Sequence, residues 1–409
     1  MAKHYNYIRK PELPTFSAKS KTYQIVSGFL AQKTDKLNMA RLACQLKNLG
    51  NNALASEALR ELSKIAPIAN RVVWGNSCPK EVRQLGNGDN IYFFKPQSLE
   101  REFNWTILGL KRYKQLLADF VNLRDQVERH ILLGNYYEAS KLLEESVKKF
   151  GYSVWYYEMR LTIAGYQDKV AQCYSLYTQV NEAYKQVKGL GIVSILVQNL
   201  GNRSLSKTPL HYDNVLVTHF KRNQERGSRL DYYLFRLNYY QYYDMDCLAE
   251  VVEMEHIQSA VDRYTILLYV LRSLYATKPE QRSMALRFAQ QLYKLSGDPQ
   301  LLSFLALSDQ NSLPESYYDR EFISILDSYY TGQYDTCANL CRTYLEREPS
   351  NLYVIKIYCR TLMFLHKGFV PVTRNNESLL HTIAFNTYKV MVEKEKTPFV
   401  VYLIMKKVL

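Results

Sequence analysis

Residues 132–151, LLGNYYEASKLLEESVKKFG, and residues 329–351, YYTGQYDTCANLCRTYLEREPSN, are variants of one pattern. Each closes a helix on a glycine, follows it with x-Tyr-x-x-small, and opens an amphipathic helix. Gly134, Tyr136 and Ala139 stand where Gly332, Tyr334 and Cys337 stand. These residue types have physical reasons. Glycine turns the chain tightly after a helix because it has no Cβ to clash at positive φ. The small residue lets two helices approach closely. Pro349, in Glu348-Pro349-Ser350-Asn351, cannot continue a helix and forces a new element to begin.

Helical patterning extends outward from both stretches. From Ser98 to about residue 187 apolar residues recur at helical spacing, and residues 316–366 do the same. No glycine occurs between Gly227 and Gly297, and Pro279 is the only proline there. That run is too long for one globular helix, so three or four packed antiparallel helices are expected. Residues 20–65 are also helical in pattern, with a turn at Gly50-Asn51-Asn52. Two stretches interrupt. Residues 66–104 concentrate Gly and Pro and carry Ile91-Tyr-Phe-Phe, read as a short strand or extended segment. Residues 188–228 hold Gly189, Gly191, Gly201, Pro209 and Gly227. The expected organisation is all-α. A basic N-terminal helical segment and loop-rich connector occupy 1–104, and a helical repeat domain occupies 105–409, with an irregular insertion at about 188–228.

The paired stretches resemble the tetratricopeptide-repeat family, which closes helix A with a Gly-x-Tyr turn and opens helix B near a small residue. The acidic-Pro-x-Asn step at 348–351 matches the family's close of helix B. The sequence departs from the family elsewhere. The Trp-x-x-Leu-Gly signature is absent; Val127 and Ile325 take the usual glycine position, His130 and Ser328 the usual tyrosine position. A clean repeat period does not run through the chain. The resemblance implies an irregular α-solenoid of antiparallel helix pairs, each burying its face on its neighbours, with a concave face that holds a protein partner.

Tyrosine is over-represented, with 35 residues against 16 Phe and 3 Trp, and seven adjacent pairs occur, among them 136–137, 156–157, 232–233 and 329–330. Helical neighbours lie about 100° apart. One ring of each pair is therefore expected in a helix–helix seam and the other at its wet edge. Packing and a Tyr-lined groove for peptide or bases are the two readings of that arrangement.

The net charge is +14 over 409 residues. It is concentrated: residues 1–115 hold 19 Lys+Arg and 8 Asp+Glu, the remainder 34 and 31. A local contact with a polyanion, or plain solubility, accounts for such asymmetry. The N-terminus lacks the apolar core of a secretory signal, and no run approaches the ~20 apolar residues of a membrane span. Seven scattered cysteines without framework spacing suit free thiols in a reducing cytosol. A cytoplasmic chain without membrane contact is the expectation. The apolar end, residues 399–409, is expected to dock as a helix or to be covered by a partner.

No phosphate-binding loop, nucleophile elbow, His-Glu-x-x-His or Cys-x-x-Cys occurs. Cys337 and Cys341, with His366 and His381 downstream, sit at repeat-core positions rather than at zinc spacing. Asp246, Glu250 and Glu253, followed by His256, share one helix face and suit a metal site less well than an acidic contact surface. Arg124-Asp125 with His130, and Arg374-Asn375 with His381, are similar to the Arg-polar…His motif of the HEPN family of helical ribonucleases. In that chemistry His transfers protons and Arg stabilises phosphoryl charge. The segment 219–229, with Lys221, Arg222, Arg226 and Arg229, could contact phosphates as an exposed loop.

The reading is a non-catalytic cytoplasmic scaffold that binds a protein partner, without metal or cofactor, and with a homodimer as one arrangement. The alternative is a nucleic-acid-binding helical protein acting through its basic N-terminal part, or a HEPN-like ribonuclease subunit of a stress or phage-defence system.

Overall fold

A computed structural model describes residues 36–48, 55–56, 74–86, 94–132, 134–167, 169–185, 192–205, 228–237, 243–277, 279–306 and 320–348, with single positions out to 365. The described chain is helical and contains no strand. In order come α1 (Lys36–Asn48), α2 (Leu99–Leu110), α3 (Lys114–Leu132) and α4 (Tyr136–Phe150). There follow α5 (Val154–Tyr166), α6 (Val170–Lys185), α7 (Ile192–Leu205), α8 (Ser228–Leu237) and α9 (Met245–Glu255). The last are α10 (Ala260–Thr277), α11 (Pro279–Ser296), α12 (Pro299–Ala306), α13 (Arg320–Tyr330) and α14 (Tyr334–Arg347).

The local rules that start these helices are visible. Ser98 caps α2 by accepting the Arg101 N–H at 3.3 Å, and Ser153 caps α5 by accepting that of Tyr156 at 3.0 Å. Asp244 caps α9 through the Cys247 N–H. Pro279 opens α11, where its missing N–H costs nothing. The glycine-free run after Gly227 holds four helices, α8 to α11, as its length requires.

The two sequence-matched turns share one geometry. Gly134 and Gly332 both have φ of 75°. The residues that follow, Asn135 (φ −81°, ψ 60°) and Gln333 (φ −80°, ψ 63°), are nearly superimposable. Asn135 N–H donates to the His130 carbonyl at 2.8 Å, and Gln333 N–H to that of Ser328 at 2.9 Å. Ala139 and Cys337 are fully buried where the paired helices meet. A third turn has the same wiring without a sequence match. Lys169 N–H donates to the Ala164 carbonyl at 2.9 Å, and Cys173 N–H to that of Lys169 at 3.2 Å, opening α6.

The packing order differs from a one-dimensional stack, in which each pair touches only its neighbours. Helix α10 is the centre. It packs against α2, α3, α5, α9, α11 and α13, elements from both sides of it in the chain. Its sequence, AVDRYTILLYVLRSLYAT, is buried on nearly every side, with Tyr264, Ile266, Leu267, Leu271 and Leu274 wholly covered. Of the first two pairs, α3 and α5 face α10, while α4 and α6 form the outer layer, each buried along one stripe only. Aromatic side chains bind the layers: Phe120 of α3 meets Trp155 of α5 edge-on at 4.9 Å, and Phe103 of α2 stacks on Phe288 of α11 at 3.9 Å.

The expected boundary after residue 104 falls inside α2, an unbroken helix. The described part of the connector, 74–86, is no surface linker either. Trp74, Val82 and Leu85 are buried, and Trp74 packs on Trp105 at 4.8 Å. The Pro79 carbonyl accepts the Tyr152 N–H at 2.8 Å. The expected insertion at 188–228 contains α7, which packs on α5 and α6; residues 206–227 lie outside the described residues, as do Ile91 to Phe93 and the stretch 399–409. Gly151, at φ 81°, lies so close to the connector that a Cβ there would stand 2.4 Å from the Pro79 carbonyl oxygen. Gly151→Ala is therefore expected to cost about 2–4 kcal/mol through backbone strain and overlap. The urea midpoint would fall at unchanged slope.

Candidate functional site

The chemistry-bearing residues of the described chain converge on the end of α9 and the start of α10. Residues 253–263, EMEHIQSAVDR, are buried almost throughout although five of the eleven are ionisable. Four of its charged side chains reach different elements. Glu253 and Glu102 of α2 share the ammonium of Lys47 from α1, both at 2.7 Å. Glu255 pairs with Arg236 of α8. Asp262 accepts the N–H groups of Val154 and Trp155 at 2.9 Å each, so a helix-10 carboxylate satisfies two orphan donors at the start of α5. Arg263 donates to Ser77 Oγ of the connector at 2.6 Å, and the Ser77 carbonyl accepts the Ala260 N–H at 2.8 Å. One turn further out, Asp298 receives Arg124 of α3 at 2.9 and 3.0 Å and the Tyr264 hydroxyl at 2.6 Å.

Burial dominates the proton affinities. It pushes Glu102 up to about 8, with Glu253 adding to the effect and Lys47 opposing it. It pushes Glu255 up to about 7 against the pull of Arg236. For Glu253 and Asp298 burial is outweighed, by His256 and Lys47 in the first case and by Arg124 in the second, and both lie below the usual carboxylate range. Arg263 is pushed down to about 10 by burial, with Arg112 adding to it.

Several expected site residues acquire structural roles here. Asp246, Glu250 and Glu253 do not form one open acidic face: Asp246 is exposed, Glu250 half-buried, and Glu253 is consumed by Lys47. The reason is tilt against neighbours; the C-terminal turn of α9 runs into α2 while its first turn faces solvent. Arg124 is 3% exposed and held by Asp298 and Asp125, so it is not presented to a phosphodiester. His130 lies in the last turn of α3, where its carbonyl accepts the Asn135 N–H. Cys337 and Cys341 lie with sulfurs 4.0 Å apart inside the α13–α14 pair, Cys337 also meeting Thr361 at 3.4 Å. Among the described residues no group of three or more His, Cys, Asp and Glu side chains could hold a metal ion. No described helix is long and apolar enough to cross a membrane. Pro349, His366, Arg374, Asn375, His381, Lys221, Arg222 and Arg226 lie outside the described residues; Arg229 is in α8, its side chain undescribed.

The tyrosine pairs divide differently from expectation. Tyr156 and Tyr157 are both buried, as are Tyr232 and Tyr233; the first pair lies on α5, which packs against α4, α6, α7 and α10 and so covers both rings. At 136–137 the expected split holds, with Tyr136 half-buried and Tyr137 79% exposed. No local pattern signals the buried pairing of Lys47, Glu102 and Glu253, since the partners are 55 and 206 residues apart.

Comparison of the chain with protein-family models, with curated proteins and with solved structures gives no match.

Proposed function

We propose that the chain is a non-catalytic interaction scaffold whose core contains tetratricopeptide-like helix pairs. The observation that carries this reading is the repeated turn. Asn135 and Lys169 make the same hydrogen bonds at the openings of α4 and α6, 34 residues apart. That spacing is the length of one tetratricopeptide unit. The third copy, at Gln333, opens α14. Irregular arrays of such pairs present extended surfaces to partners.

The inner face of this array is formed by α3 and α5, and both pack on α10. A helix of the same chain thus fills the seat that a concave array offers to a partner. Partner contact then falls to the outer helices. There Tyr137 is 79%, Tyr174 58% and Val170 44% exposed, large apolar side chains at the openings of α4 and α6. Exposed aromatic groups of this kind anchor protein interfaces because they bury much area at low entropic cost.

The test is affinity capture from host extract with the wild-type chain and with Tyr137→Ala/Tyr174→Ala. Both residues are exposed, so thermal stability is expected to be unchanged. A stoichiometric protein, or a second copy of the chain, should accompany the wild type and be lost from the variant. A partner held equally by both, or a monomer without any partner, overturns the reading.

A further inference from the structure

Helices α4, α6 and α14 open with the same turn, and each shows a stripe of side chains to solvent. On α4 that stripe is charged, with Lys141, Glu144 and Glu145 exposed, and on α14 it carries Asp335, Arg342 and Glu346. Faces of this kind are solvated. The stripe of α6 differs. Val170, Ala171, Tyr174, Ser175, Thr178 and Gln179 are exposed, and no charged residue occurs from Val170 to Asn181. With the turns aligned, Ser175, Thr178 and Gln179 stand where α4 has Lys141, Glu144 and Glu145. Two of the three large apolar side chains exposed among the described residues, Val170 and Tyr174, lie on this face. In a chain whose residues are 22% charged, it lacks the strongly hydrated groups that its sister helices carry.

Two properties of the stripe point to what covers it. The first is that it matches itself. Its exposed positions are symmetric about the bond between Tyr174 and Ser175. When two such helices lie antiparallel across a two-fold axis at that point, each Tyr174 ring meets Ser175 of the other copy. Ala171 then meets Thr178, and Val170 meets Gln179. The large side chain of the stripe thus opposes a small one on both sides of the axis, as an isologous contact requires. The second property is charge. Each copy carries +14, so copies repel, and a face without charge lets them meet without setting like charges together. The charges that bound the stripe have opposite sign, exposed Lys169 before it and exposed Glu182 after it. The antiparallel arrangement brings Lys169 of each copy to within ~3 Å, along the helix axis, of the level of Glu182 of the other. Glu182 also has a contact in its own chain, and an exposed carboxylate accepts from more than one donor.

We propose that the outer face of α6 is a self-association surface, on which a second copy of the chain docks antiparallel about a two-fold axis between Tyr174 and Ser175. The proposal rests on the reading that partner contact falls to the outer helices, and it names the partner at α6. One helix face is a small contact, so the dimer belongs to the weak class and exchanges with the monomer.

Sedimentation velocity of the purified full chain, over a concentration series, tests it. A monomer–dimer equilibrium with a dissociation constant in the micromolar range is expected. Ser175→Arg sets two like charges against each other at the axis and should weaken the dimer by about tenfold or more. Ser175 is exposed, so the thermal midpoint should not move. Gln290→Arg adds the same charge on the exposed side of α11 and should leave the dimer as it is. A chain that stays monomeric throughout the series overturns the proposal. So does a dimer that survives Ser175→Arg, or an equal loss in both variants. A monomeric chain that captures a different protein through Tyr174 also overturns it, while leaving the scaffold reading in place.

Discussion

Asp298→Asn is expected to destabilise the protein by about 3–5 kcal/mol, the cost typical of removing one partner from a buried ion pair. The wild-type carboxylate is wholly buried and receives both terminal nitrogens of Arg124, the Tyr264 hydroxyl and the Gln300 N–H. Asparagine keeps the shape but leaves Arg124, itself 3% exposed, with the weaker compensation of Glu128 and the half-exposed Asp125. The pair also joins α3 to the start of α12 beside the central helix, so its loss loosens three elements together. Arg124→Met/Asp298→Asn should cost clearly less than the sum of the single changes, by ~2 kcal/mol or more, because the coupling resides in the pair. Denaturant melts of the four proteins measure this cycle. Additive single effects would show that the pair is not coupled.

The second large effect is an inverted pH dependence. Glu102 has an ordinary value of 4.5 and is raised to about 8 in the folded chain. The folded state therefore holds this proton more tightly than the unfolded chain does. Its contribution to stability is complete below the unfolded value and is lost as pH rises through the folded one. Glu255, raised to about 7, acts in the same direction. Asp298 and Glu253 act oppositely, since their lowered values remove stability only as the pH falls below the ordinary carboxylate range. His256, lowered by burial from its ordinary value of 6.5, acts oppositely as the pH falls below that value, so maximum stability is expected near pH ~6, with a decline of about 1–2 kcal/mol toward pH ~8 after discounting for relaxation and water entry. Glu102→Gln keeps the hydrogen bond to Lys47 without the second negative charge. It should raise stability at pH ~8 by about 1 kcal/mol and leave only the smaller Glu255 slope. Melts across that range in both proteins decide it; a wild-type profile that rises from pH ~6 to ~8 contradicts the assignment.

Much of the local structure is legible in the residues themselves. Gly134 and Gly332 announce their turns because positive φ selects glycine, and Ala139 and Cys337 announce close helix contact because larger side chains do not fit. The α5–α6 turn makes the same hydrogen bonds but escapes the pattern, since Asp168 stands where glycine is found in the other two and Val170 where tyrosine is found. Its backbone wiring identifies it; its side chains do not. The buried ion pairs were hidden for a different reason. Lys47, Glu102 and Glu253 look like solvated charges in three separate windows, and only their meeting shows that burial of each is compensated by the others.

By itself the sequence determined the helical character of the chain, the starts of many helices and the tight turns, because capping, glycine and proline chemistry act within a few residues. The tertiary structure alone decided that α10 is the centre, that α3 and α5 spend their inner faces on it, and that Arg263 is buried with no ion pair among the described residues. Those outcomes depend on helices more than a hundred residues apart competing for one apolar surface. No local periodicity encodes which of them wins.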